Sequence, residues 1–133
     1  MILAIGIDSV ECARFAHWHQ YSLKCLSSIF TSEEIAYCLN NEKKQQERLA
    51  ARFAAKEAFY KAWSTAFLQE KIPLRKIMRN TEVIKNPNGS AGLSIHLPEI
   101  SIIVEKSQIK FHLSLTHTNH YATAFVILEK NTK

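Results

Sequence analysis

The sequence has no paired cysteines. Cys12, Cys25 and Cys38 form no C-x-x-C unit and leave an odd count. That excludes a disulfide framework or a zinc cage and points to a reducing compartment, the cytoplasm. No apolar run comes near the roughly 20 residues that span a bilayer, so no membrane segment is expected. The opening Met1-Ile2-Leu3-Ala4-Ile5-Gly6-Ile7 is apolar but lacks a basic n-region, and Asp8 ends it early. It reads as a buried strand rather than a signal peptide. Aspartate is scarce too: Asp8 is the only one in 133 residues. Internal repeats, linkers and low-complexity segments are also missing.

What is present fits one domain with one core. The hydrophobic fraction is 47% and the charged fraction 22%, ordinary for a globular protein. A formal net charge of +5 implies an anionic partner, whether nucleic acid, an acidic protein or a phosphate-rich cofactor. Charge alone does not choose among them.

Period-two alternation predicts a first strand over residues 2–8, with Ala4, Gly6 and Asp8 on one face and Leu3, Ile5 and Ile7 on the other. The Asp8 face is unusually small, so another element can approach its backbone closely. Residues 11–29 read as helical in part. Thr31-Ser32-Glu33-Glu34 has capping-box spacing and predicts a helix from Ser32 to Leu39. A long helix free of Gly and Pro follows over 47–66, with Leu49, Phe53, Tyr60, Trp63 and Phe67 on one stripe. Asn86-Pro87-Asn88-Gly89 predicts a turn between strands at 82–84 and 93–97. Residues 99–106 read as strand or helix. Two further strands are expected, over 109–115 and 121–128, with a turn near Thr118-Asn119-His120. The expected class is therefore α+β, an N-terminal strand and helices packed on a mainly antiparallel sheet, in a single domain covering 1–133.

Two features carry chemistry. Asp8 ends an apolar strand, where an unpaired carboxylate is costly to bury; a cap or turn residue exposed at the strand end would explain it equally well. In Arg52-Phe53-Ala54-Ala55-Lys56-Glu57-Ala58-Phe59-Tyr60-Lys61, Lys56 falls near the middle of the apolar stripe, and Glu57 stands at its rim one turn from Lys61. An ordinary Glu–Lys surface pair and a snorkelling lysine are the bland alternatives. Together, a strand carboxylate and a helix carboxylate make a hard-oxygen site with open positions, which suits Mg2+. Arg52, Lys56 and Lys61 add groups that bind phosphate oxygens.

Ile5-Gly6-Ile7-Asp8 followed by Phe53-Ala54-Ala55-Lys56-Glu57-Ala58-Phe59-Tyr60-Lys61 resembles the two signature motifs of the 4'-phosphopantetheinyl transferase superfamily. Glu47-Arg48-Leu49-Ala50-Ala51-Arg52, Asn86-Pro87-Asn88-Gly89 and Ser114-Leu115-Thr116-His117-Thr118 resemble segments of its small, holo-acyl-carrier-protein-synthase branch, in the same order. The resemblance implies transfer of phosphopantetheine from coenzyme A to a serine of an acidic acyl carrier protein, with adenosine 3',5'-bisphosphate released. It implies that Asp8 and Glu57 hold magnesium, that Glu57 is the candidate base, and that Lys61 stabilises the leaving phosphate. It further implies that Arg52, Lys56, Lys61 and His117 serve coenzyme binding, Lys56 alternatively pairing with a carboxylate for structure. Arg14 and Lys24 match a basic carrier-binding segment, and a homotrimer with active sites between subunits is expected.

The sequence departs from the family at Ser64 and Ala66, which stand where a Gly-Thr-Gly segment is usual. Added Cβ atoms there leave room for a specialised paralogue acting on a polyketide-type carrier, or for a non-catalytic coenzyme-binding protein. A basic nucleic-acid-binding module is the reading from a different class, although no familiar binding motif is present.

Overall fold

The computed structural model describes residues 1–132. Its first strand, β1, runs Ile2–Glu11, past Asp8, so that residue is interior to the strand rather than its terminator. Short 3-10 turns at Cys12–Phe15 and Trp18–Gln20 lead to α1, Leu23–Ser27. Next comes α2, Ser32–Leu39, with the full reciprocal capping box between Thr31 and Glu34. The long helix α3 spans Gln45–Ala66. A helix not anticipated, α4, covers Leu74–Asn80. Strands β2, Thr81–Lys85, and β3, Ala91–Ile95, form the expected hairpin, with Gly89 at φ 88° in its turn. Residues 98–107 are helical, as α5, Pro98–Ser107, and two strands follow: β4, Ile109–His117, and β5, Tyr121–Lys130. The α+β expectation holds.

The strands make two antiparallel sheets, one ordered β1-β5-β4 and a separate β2-β3 pair. α3 packs across the inner face of the larger sheet. The contact is close because both surfaces are small. Ala54, Ala55, Ala58 and Ala62 on the helix and Ala122 and Ala124 on β5 are fully buried. A Cβ built on Gly6 would lie 1.8 Å from the carbonyl oxygen of Ala58, so only glycine allows this approach. Trp63, Phe59 and Leu49 on α3 are buried too, with Phe59 edge-on to Phe111 of β4 at 5.2 Å between ring centroids.

The outer face of the same sheet is uncovered. Ile5 is 53% exposed, Ile7 55% and Phe125 37%, and Ile7 pairs directly with Phe125 across the β1–β5 ladder. The buried strand expected from the N-terminal sequence is thus buried on one face only. No helix among the described residues is long and apolar enough to cross a membrane.

Candidate active site

The close approach at Gly6 brings one stretch of α3 down beside Asp8. Glu57 and Lys61, one helical turn apart, both meet it. Lys61 Nζ donates to Asp8 Oδ1 at 3.0 Å and to the Ile7 carbonyl at 3.1 Å. The Asp8 side chain is only 11% exposed, and its Oδ2 is buried with no hydrogen-bond partner besides Glu57. Burial first, then a side-chain hydrogen bond to Asp8 and the charge of that carboxyl, push the Glu57 pKa from 4.5 up to about 7, against the lowering pull of Arg14 and Lys61. Two carboxyl groups this close resist joint ionisation unless a further cation joins them. Two adjoining carboxyls, one with a raised pKa and the other with a buried oxygen that only the Glu57 proton serves, therefore fit a divalent ion with hard-oxygen preference.

Arg14 flanks this pair from the turn Cys12–Phe15, its guanidinium carbon 4.5 Å from the Phe53 ring centroid. Lys24 is exposed on α1.

Arg52 and His117 sit elsewhere. They line a cavity of about 700 Å³ walled by α2, α3, the β2–β3 hairpin and β4. There Arg52 stacks on Tyr37 at 4.3 Å, and its buried Nε has no partner. Arg48 faces the same ring at 4.2 Å and is fixed by donating to the Tyr37 carbonyl at 2.8 Å and to Asn40 Oδ1 at 2.6 Å. His117 Nδ1 lies 3.4 Å from Glu47 Oε2. Guanidinium donors left unused beside an aromatic ring suit a phosphorylated nucleoside.

Lys56 departs from the coenzyme-binding role. It is fully buried, and its three N–H donors go to Glu34 Oε1, to the Ile29 carbonyl at 2.6 Å and to the Met78 carbonyl at 3.0 Å. None is left for a phosphate. Burial draws its pKa below the lysine range, with Glu34 opposing that shift. The structural pairing with a carboxylate is the role its geometry supports.

The profile of the 4'-phosphopantetheinyl transferase superfamily matches residues 4–126. This chain belongs to that superfamily. Among phosphopantetheinyl transferases it is 36% identical over 129 residues to the holo-[acyl-carrier-protein] synthase of Treponema denticola, covering 97% of this chain and 99% of that one. It is 37% identical over 131 residues to the synthase of Bacillus subtilis, covering 98% of each. The solved synthase of Neisseria meningitidis superposes with a TM-score of 0.77 at 30% identity, over 98% of this chain and 100% of that one. A Chronobacterium ammoniagenes synthase, solved as a complex with coenzyme A, superposes at 0.76 and 28% identity, over 96% and 97%.

Within this phosphopantetheinyl transferase, sequence reasoning passed over Glu34, Tyr37 and Arg48. Glu34 was legible only as a helix cap. The i, i+4 spacing of Arg48 and Arg52 marks one basic helix face, but nothing local announces that Tyr37 from α2 lies against it.

Proposed function

We propose that this chain transfers the 4'-phosphopantetheine group from coenzyme A to a serine of an apo-acyl carrier protein, with magnesium as cofactor and adenosine 3',5'-bisphosphate as the second product. The observation that carries this reading is the convergence of Asp8 and Glu57, one carboxyl with a buried oxygen and the other with a raised pKa. The named functions of the relatives and the coenzyme A complex of a structural neighbour support it.

Asp8 and Glu57 would hold magnesium, which neutralises charge on the diphosphate oxygens during displacement at phosphorus. Lys61 is held at 3.0 Å from Asp8 yet its side chain is 53% exposed. It offers a cation to the departing phosphate. Glu57, with a pKa lifted to about 7, is the candidate base for the serine hydroxyl near neutral pH. Arg14 beside this pair, and Lys24 on α1, present positive charge to an acidic carrier. The free thiols of all three cysteines accord with a reducing, cytoplasmic setting.

The phosphoadenosine end of the coenzyme is assigned to the cavity of Arg52 and His117, contributed by a second copy of the chain. Within one chain, Asp8 lies on edge strand β1 and His117 on the opposite edge strand β4. Those edges are two strand spacings apart, about 10 Å, with β5 between them and α3 lying across the inner face of the sheet. Arg52 projects about 140° round the helix from Glu57. The uncovered face at Ile5, Ile7 and Phe125 supplies a surface for self-association, and a homotrimer is the assembly proposed.

Incubation with coenzyme A, magnesium and apo-carriers of fatty-acid and polyketide type, read by the mass of the carrier, tests the reaction. A gain by the fatty-acid carrier is expected. Asp8→Ala and Glu57→Ala should each lower the rate at least about 100-fold while leaving the circular dichroism spectrum unchanged. No gain with any carrier would sink the assignment, and full activity in either variant would remove the metal site.

A further inference from the structure

The Lys56–Glu34 pair is the most completely bonded charged pair in the described residues, and the proposed chemistry uses neither member. Both side chains are essentially inaccessible. Besides accepting from Lys56, Glu34 Oε1 accepts the Thr31 N–H at 2.9 Å, and Oε2 accepts the Val83 N–H at 2.9 Å. Thr31 Oγ1 in turn donates to Glu82 Oε2 at 2.7 Å. Through Lys56 the same node reaches the Ile29 carbonyl ahead of α2 and the Met78 carbonyl in α4. One ion pair thus ties α2, α4 and β2 to α3.

Those are the parts that need tying. The β2–β3 hairpin is a sheet of its own, sharing no strand pairing with β1-β5-β4. α2 is only eight residues long. Yet α2 and the hairpin provide two walls of the cavity of about 700 Å³, through Tyr37 on one side and Val83, Lys85 and Ser90 on the other, with the inaccessible Glu34 side chain at their junction. A buried pair is a poor source of net stability, because desolvation offsets most of its attraction. Its geometry is nonetheless strict, since any displacement leaves a buried charge unpaired.

We infer that Lys56 and Glu34 are positioning residues for coenzyme binding: they set the separation of the cavity walls without touching the coenzyme. This rests on the reading that the cavity receives the phosphoadenosine end. Their effect therefore belongs to coenzyme affinity, whereas Asp8, Glu57 and Lys61, on the β1 side of α3, belong to turnover.

Steady-state transfer with varied coenzyme A, run beside amide hydrogen exchange on the whole protein, separates the alternatives. Lys56→Met should raise KM for coenzyme A on the order of tenfold or more and hold kcat at saturating coenzyme within about threefold. Exchange across residues 81–95 should quicken while β1 and β5 keep their protection. Glu34→Gln keeps the shape, but its single amide oxygen serves either Lys56 and Thr31 or Val83 and not both, so it should show the same pattern and serves if Lys56→Met fails to fold. An unchanged KM, or a loss confined to kcat, in a variant with intact β1 and β5 protection would overturn the inference. If the wild type transfers nothing, the proposed reaction fails instead. The clamp is then decided by exchange alone: faster exchange over 81–95 supports it, and unchanged exchange overturns it.

Discussion

Glu57 is where the electrostatics of this protein are most exposed to test. Its carboxyl titrates near 7 in the fold rather than at 4.5, so the folded chain binds that proton more tightly than the unfolded chain does. Stability from this source is complete below about pH 4.5 and is lost as pH climbs through about 7. The metal-free protein should therefore melt lower at pH 8 than at pH 5.5 on this account. Glu57→Gln, which cannot ionise, should recover about 2–5 °C at pH 8 in chelator and nothing at pH 4.5. Thermal denaturation of both proteins across that range decides it, and an equal shift at both pH values would show the carboxyl is not strained. Magnesium should invert the pattern, because the ion competes with the proton and its apparent affinity rises as pH passes 7. Asp8 was legible in sequence as an oddity, since a lone aspartate in an apolar strand invites explanation. Its partner in the same site was not legible without the family motif, because Glu57 and Lys61 also fit a plain surface pair.

At the level of elements, the β1–α3 contact is the piece on which the site depends. Gly6→Ala would push a Cβ to within 1.8 Å of the Ala58 carbonyl oxygen. Backbone cannot yield there as a flexible side chain would. The substitution should cost about 3 kcal/mol or more, at the upper end for overpacking, and any folded fraction should lose transfer because Glu57 is displaced from Asp8. Denaturant unfolding measures the first effect, and a variant of wild-type stability would show that α3 has room to move off β1. The small face of Ala4, Gly6 and Asp8 foretold this approach from sequence alone. Other elements were readable but underdetermined. Leu74, Ile77 and Met78 carry the i, i+3, i+4 spacing of α4, yet the helix ends at Asn80 and β2 begins at Thr81, so no turn signal separates the two and the strand pattern masked the helix. In 98–107, β-branched residues argued for a strand, but Pro98 at the first turn and Ile100, Ile103 and Val104 packing on one side made it a helix. At Lys56 two roles were legible, coenzyme binding or structural pairing with a carboxylate, because periodicity shows that a lysine faces inward and not which group meets it; Glu34 meets it.

On the scale of the whole molecule, one chain holds both halves of the proposed site but on opposite sides of α3, and this makes a sharp prediction about mixtures. Asp8→Ala chains keep the cavity and lack the metal half; Arg52→Ala chains keep the metal half and lack a cavity donor. Each protein alone should be inactive. If a site joins the metal half of one copy to the cavity of the next, an equal mixture assembled by co-expression has two independent even chances per site. Both halves are then intact in about one site in four, and about a quarter of wild-type transfer should return. Were the site contained in a single chain, no mixture could restore anything, because every chain carries a lesion. The exposed sheet face gives an independent arm. Phe125→Lys changes a side chain that is 37% exposed in the isolated chain, so the fold should survive, while a charge opposite Ile7 should disfavour association. Light scattering should report a monomer, and transfer should fall with it even though Asp8, Glu57, Lys61, Arg52 and His117 are all untouched. A Phe125→Lys monomer with full activity would return the entire site to one chain.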